Sequence, residues 1–270
     1  MKKNRDLKSK GFSISFSALV IPVALVVALV VYNYVMGNPA NFQGNNHDNA
    51  ALPGNYYGLV YKGGFIVPIL ITLLLTVITF VIERFIAITK ASGKGNVVNF
   101  VQVVKADLQK NDIESALGAC DAQRGSVANV IRSVLVKYRM LEKDNSMVKD
   151  QKLSALQKEV EEATSLELPA LEQNLVMLAV ITSLGTLMGL LGTVLGMIRA
   201  FAALANAGAP DSVALAGGIS EALINTAFGI GTAAIAMIFY NYFTTRIDKL
   251  TYSIDEAGFS LVQSYAANHA

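Results

Sequence analysis

Two apolar segments joined by a short, nearly uncharged connection constrain this chain more than any other feature. Leu175–Ala205 and residues 220–243 each hold a run long enough to cross a bilayer, which needs about 20 apolar residues. Neither reads as an inert anchor. Thr193 lies in the first, and Glu221, Asn225 and Thr226 lie in the second. Polar groups in hydrocarbon cost free energy unless they face a partner or a watery path, so such residues mark function by default. The pattern implies a polytopic membrane protein that passes or senses something polar between its helices.

Composition agrees. A hydrophobic fraction of 53% against 16% charged residues, with a mean hydropathy of +0.45, removes the chain from the ordinary soluble class. Apolar stretches cover 14–36, 65–87, 175–201 and 222–243. The first follows Lys2, Lys3, Arg5, Lys8 and Lys10, as a signal peptide would. Its core is longer than a signal-peptide core and no cleavage pattern follows it, so it is expected to be a retained helix.

Basic residues set the expected orientation. They cluster before the first helix, after the second (Arg84, Lys90, Lys94) and after the fourth (Arg246, Lys249). Residues 37–63 hold Lys62 alone, and 206–219 hold no basic residue. Both termini are therefore expected in the cytoplasm. The resulting division is a basic segment 1–13, an additional transmembrane helix 14–36 and an external loop 37–63. A core transmembrane helix 64–88 and a cytoplasmic helical domain 89–174 follow. Beyond these come a transmembrane helix 175–205, an external loop 206–219, a transmembrane helix 220–245 and a cytoplasmic C-terminal helix 246–270.

Within 89–174, Asn111 to Glu114 has the spacing of a capping box with Asn111 as cap. Val127, Val130, Ile131, Val134 and Leu135 repeat at helical spacing, and residues 139–149 read as a turn. From Asp150 a helix is expected to run towards the third membrane segment, with Pro169 kinking or interrupting it. With no internal repeat or β-rich stretch, the fold class is all-α, with long helices reaching into the cytoplasm.

Catalytic signals are missing from the sequence. Cys120 is the single cysteine, and His47 and His269 form no metal-binding constellation. No nucleotide fingerprint or nucleophile elbow occurs. The net charge of +2 needs no nucleic-acid partner. The expectation is a protein with no enzymatic chemistry, no cofactor and no metal.

On a helical wheel Thr186, Gly189, Thr193, Gly196 and Ala200 all fall within about 40° of Thr182. Beside this hydroxyl stripe runs a glycine seam of Gly185, Gly189, Gly192 and Gly196. Such a seam lets helix backbones approach closely, and threonine hydroxyls can bond back to their own helix. Packing and a polar pathway are thus both open readings. On the next helix Glu221, Asn225 and Thr232 share a face, with Thr226 about 140° from Glu221. Glu221 is either a first-turn acid near the outer interface or, if Asp211 or Ser212 caps a longer helix, an interior one. Counting from Leu175 and Phe243, Thr193 rises about 27 Å and Thr226 about 25 Å, so the two hydroxyls should come to one level.

These residues resemble the MotA/TolQ/ExbB proton-channel family, and its ExbB/TolQ branch in particular. The matching pieces run from Gly189 through Gly192, Thr193 and Val194 to Gly196, Met197 and Phe201. They continue with Glu221, Ala222 and Leu223, then Thr226, Ala227 and Gly229, then Tyr240 and Asn241, with Glu83 and Arg84 closing the first core helix. Where the family's core helices usually carry proline, this chain has Thr186 and Ile235, and the 14–36 helix is additional to the usual three. The resemblance implies a pentameric ring with the third and fourth helices lining a central pore, and the glycine seam is expected to pack its copies together. It implies an ExbD/TolR-like single-span partner carrying a proton-binding aspartate, with Thr193 and Thr226 facing that carboxylate and Glu221 near the outer end. It further implies a bacterial inner-membrane location and a TonB- or TolA-like effector. A lone channel, a secondary transporter, a stator of another motor and a purely structural scaffold are the competing classes.

Overall fold

The computed structural model describes residues 16–47, 49–144, 146–205 and 212–268. Among these the chain is helical, with no strand beyond an isolated bridge between Phe42 and Ala51. The helices are α1 (Phe16–Val30, extended by a π turn Val31–Met36), α2 (Tyr56–Tyr61), α3 (Ile66–Ser92), α4 (Val97–Gln109) and α5 (Ile113–Gln123). They continue as α6 (Gly125–Lys143), α7 (Lys149–Glu172), α8 (Leu175–Ala205) and α9 (Ser212–Asn268). Four helices, beginning at Ala18, Ile66, Leu175 and Ser212, are long and apolar enough to cross a membrane by length and composition. The basic segment 1–13, Asp211 and His269 lie outside the described residues.

The chain divides into two compact units, one from 1–79 with 180–236 and one from 80–179 with 237–270. In the first, Ala28 of α1 packs on Val67 and Ile71 of α3, flanked by Tyr32, Val60 and Phe228. The 37–63 segment is more ordered than its Asn- and Gly-rich composition predicts. Asn41 donates to the carbonyls of Val35 and Met36, Asn55 donates to Asn41 and caps α2, and Phe42 is fully buried. Tyr32 stacks on Tyr61 at 4.6 Å and donates to its carbonyl.

In the second unit, α4–α7 and the C-terminal part of α9 enclose Val104, Ile131, Val134, Leu135, Tyr138, Leu156 and Leu261, all buried. The stripe read from Val127 to Leu135 is this core face of α6. Arg84 is buried, and it donates to Glu83 and to the Leu171 carbonyl at 3.0 Å.

Three expectations need correction. First, α9 already begins at Ser212, inside the segment expected as the loop 206–219. One unbroken helix then runs through the boundary placed at 245/246, since no glycine or proline there interrupts the backbone hydrogen bonds. Second, the cap of α5 is Asp112, whose carboxylate accepts from the Ser115 N–H. Asn111 takes a positive φ of 57° instead, a conformation asparagine tolerates better than most residues. Third, Pro169 lies inside α7, and the break before α8 falls at Asn174 with φ 64°. A proline removes one hydrogen bond, whereas a left-handed residue redirects the chain.

Candidate functional site

The polar residues singled out on α8 and α9 collect within the first unit. The two helices run antiparallel there and touch through backbone. A Cβ on Gly185 would lie 3.1 Å from the Gly229 carbonyl oxygen, one on Gly189 3.1 Å from that of Asn225, and one on Gly196 2.7 Å from the Ala222 nitrogen. The seam of Gly185, Gly189, Gly192 and Gly196 thus faces α9 of its own chain. The expected role of this seam between copies of the chain does not fit that arrangement.

Close approach brings hydroxyls together. Thr193 and Thr226 are in hydrogen-bond contact with each other, and each also reaches the Gly189 carbonyl oxygen at 3.3 Å. The predicted common level of the two hydroxyls is therefore realised as a contact. Both side chains are half-buried. The missing side chain of Gly189 is what lets the facing threonine reach a carbonyl already shared with Thr193.

Glu221 belongs to a different cluster. It lies in the third turn of α9 rather than the first and is buried. Its two carboxylate oxygens accept from Nη1 of Arg199 at 2.6 and 2.7 Å. Gly64, with φ +74°, closes over this pair, and a Cβ there would fall 2.5 Å from Oε1 of Glu221. Asn225, one turn along, fills the space that Gly192 leaves open and donates to the Gly63 carbonyl at 2.8 Å. Its Oδ1 is buried with no hydrogen-bond partner among the described residues, an acceptor able to take one more donor. Glu221, Asn225 and Thr232 all point inward, as the helical wheel grouped them.

Arg199 escaped the sequence reading. The signal was present: it is the only basic residue between 175 and 243, and a lone cation in an apolar run calls for a counter-charge. Nothing among the described residues gathers His, Cys, Asp or Glu into a metal-binding group.

The arrangement defines a class of protein: multi-pass and helical, with a small set of polar groups held between tightly apposed membrane helices. Comparison adds a family likeness. Residues 127–256 match the MotA/TolQ/ExbB proton channel family. Among curated proteins, the ExbB-like 3 biopolymer transport protein of Synechocystis sp. is 38% identical over 86 residues, 31% of this chain and 41% of the relative. The Tol-Pal system protein TolQ of Pseudomonas aeruginosa is 32% identical over 124 residues, 46% of this chain and 54% of the relative. TolQ of Haemophilus influenzae is 38% identical over 88 residues, 33% of this chain and 39% of the relative. The chain thus spans about half the length, or less, of the relatives it matches.

Proposed function

We propose that this chain is the channel-forming subunit of a Tol- or Ton-type energy-transducing complex in a bacterial inner membrane. In this reading it works without enzymatic chemistry and couples proton flow to motion of a periplasm-spanning effector of TonB or TolA type. Five copies form a ring, with both chain termini and residues 91–174 on the cytoplasmic side. An ExbD/TolR-like helix in the central pore supplies the carboxylate that takes up and releases the proton.

The observation that carries this reading is the Thr193–Thr226 hydroxyl contact beside a shared carbonyl. A threonine hydroxyl donates to an ionised acid and accepts from a protonated one, so a pair of them can serve both states of a cycling carboxylate. The chain has no carboxylate of its own between Thr226 and Asn241, which supports a mid-membrane acid supplied by a partner. Glu221, fixed by Arg199, is the charged group of the pathway's outer end.

Valine keeps the shape of threonine and removes the hydroxyl, so Thr193→Val and Thr226→Val separate packing from proton handling. Each variant is expected to assemble like the wild type and to lose most proton-motive-force-dependent work, measured in the same preparation. Full activity in both would overturn the assignment. Co-purification followed by native mass measurement reads the ring number and reveals whether a small single-span partner is present.

A further inference from the structure

A cavity of about 600 Å³ opens in the second unit where the end of α3 meets the start of α6. Lys90, Lys94 and Arg124 line it together with Gly125, Ser126 and Asn129, and no carboxylate lines it. The three cations take part in no ion pair among the described residues. Asn129, which lines it, donates to Glu167 at 3.1 Å.

The start of α6 adds to this charge. Arg124 stands at its N-cap position but makes no capping bond, and the first turn carries no acid. The first N–H groups of such a helix are left without intrahelical partners and present partial positive charge. Ser126 supplies an independent observation. It is 8% exposed and lines the cavity, yet its hydroxyl has no hydrogen-bond partner among the described residues. An accessible hydroxyl on a buried residue, at the start of an uncapped helix and among three unpaired cations, is a donor set open to an acceptor in the cavity.

The chain holds this geometry firmly. The Lys94 N–H donates to the Gln123 carbonyl at 2.6 Å, and Gln123 donates to Ser92 at 3.0 Å. A Cβ on Gly93 would lie 2.1 Å from the Arg124 carbonyl oxygen, and one on Gly125 2.4 Å from that of Ala91. The backbones on the two sides of the cavity are therefore in contact, and both glycines adopt positive φ.

We propose that this cavity is a phosphate-binding site. Guanidinium, ammonium, hydroxyl and helix N–H donors around one concavity match the acceptor oxygens of a phosphate anion. Lys90 lies in the last turn of the apolar helix α3, and basic groups at such helix ends attract anionic headgroups. The phosphate thus comes from a lipid headgroup or from solution. The proposal is independent of proton conduction.

The test uses the full chain in uncharged detergent and phosphate-free buffer. Binding of inorganic phosphate, dihexanoyl-phosphatidylglycerol and dihexanoyl-phosphatidylcholine is followed by phosphorus NMR. Saturable binding of the anionic lipid is expected, weakened about tenfold by Lys90→Gln/Lys94→Gln/Arg124→Gln and about threefold by Ser126→Ala. Inorganic phosphate competing at similar concentration identifies a soluble ligand, and failure to compete identifies a headgroup. Unchanged circular dichroism and elution volume show that the variants fold. Should the triple variant not fold, the exposed single change Lys94→Gln carries the test, with about threefold weakening expected. Equal binding by wild type and variants, equal binding of the zwitterionic lipid, or no saturable binding of either anionic probe would overturn the proposal.

Discussion

In the first unit α8 and α9 meet through glycine and alanine, whereas in the second the space between helices is filled by Val, Leu and Tyr side chains. Gly218 shows the first kind of packing: a Cβ there would lie 2.7 Å from the Ala200 nitrogen. Leu135, Tyr138 and Leu156, each fully buried, show the second. The reason is solvent. Lipid tails give no hydrophobic reward for bringing apolar side chains together, so membrane helices gain from close backbone packing and satisfied polar groups. In water, burying a large apolar side chain stabilises by roughly 1.5–3 kcal/mol, and bulky residues serve best. Polar groups differ in parallel. The second unit carries surface ion pairs such as Lys105–Glu256 and Arg139–Glu114, of the kind worth about 0–1 kcal/mol. The first unit buries Glu221 against Arg199 and leaves Asn225 Oδ1 with spare capacity.

Opposite changes of volume should break the two units, and this is the largest effect expected. Gly196→Leu would drive a side chain into the Ala222 nitrogen and the Gly218 carbonyl oxygen, each 2.7 Å from the new Cβ. It should leave no monodisperse protein after size exclusion. Gly217→Leu, whose Cβ has nothing within 4 Å, is its control and should purify normally. In the second unit the damaging change is a loss of volume. Leu135→Ala empties a fully buried position and should cost about 3 kcal/mol in thermal unfolding. Normal behaviour of Gly196→Leu would mean that the seam is not a backbone contact.

A smaller effect is expected at Arg199. Its side chain is 52% exposed while that of Glu221 is 7% exposed, so removing the cation strands a buried carboxylate. Arg199→Gln should cost about 2 kcal/mol, below the full value for a buried pair because half of the arginine side chain is exposed. Adding Glu221→Gln should recover much of the loss. A double variant as unstable as the sum of both singles would show that the two residues are not coupled.

The smallest effect concerns Cys120. Burial pushes its thiol up to about 12 from an ordinary value near 9. Its folded-state value lies above its unfolded one, so the linked stability is complete below about pH 9 and declines as pH climbs towards 12. Below that range alkylation should be slow in the folded protein and fast once the second unit opens. Rapid labelling of the native chain at neutral pH would contradict the burial. The same burial makes Cys120 a reporter of unfolding rather than of which side of the membrane it faces.

Much of the site was legible because its signals are local. The hydroxyl stripe, the glycine seam and the Glu221–Asn225–Thr232 face follow from helical periodicity alone. The common level of Thr193 and Thr226 needed only helix rise and the two helix ends at Leu175 and Phe243. Arg199 was missed because its meaning depends on a partner 22 positions away. Of the two starts the sequence left open for α9, the fold takes the one at Ser212, and Gly218 packs directly on the backbone around Ala200.

By itself the sequence determined the helical class, the apolar spans and the residue types that sit within them. A 3.6-residue period and a bilayer-length apolar run are properties of contiguous residues, read without knowing any neighbour. Only the tertiary structure decided what those residues face. It turned the glycine seam towards the same chain's α9, joined Thr193 to Thr226, gave Glu221 its arginine and set Ser126 unpartnered among three cations. The first three are contacts across distant sequence, fixed by the packing of whole helices, and the last follows from the elements that close around its cavity.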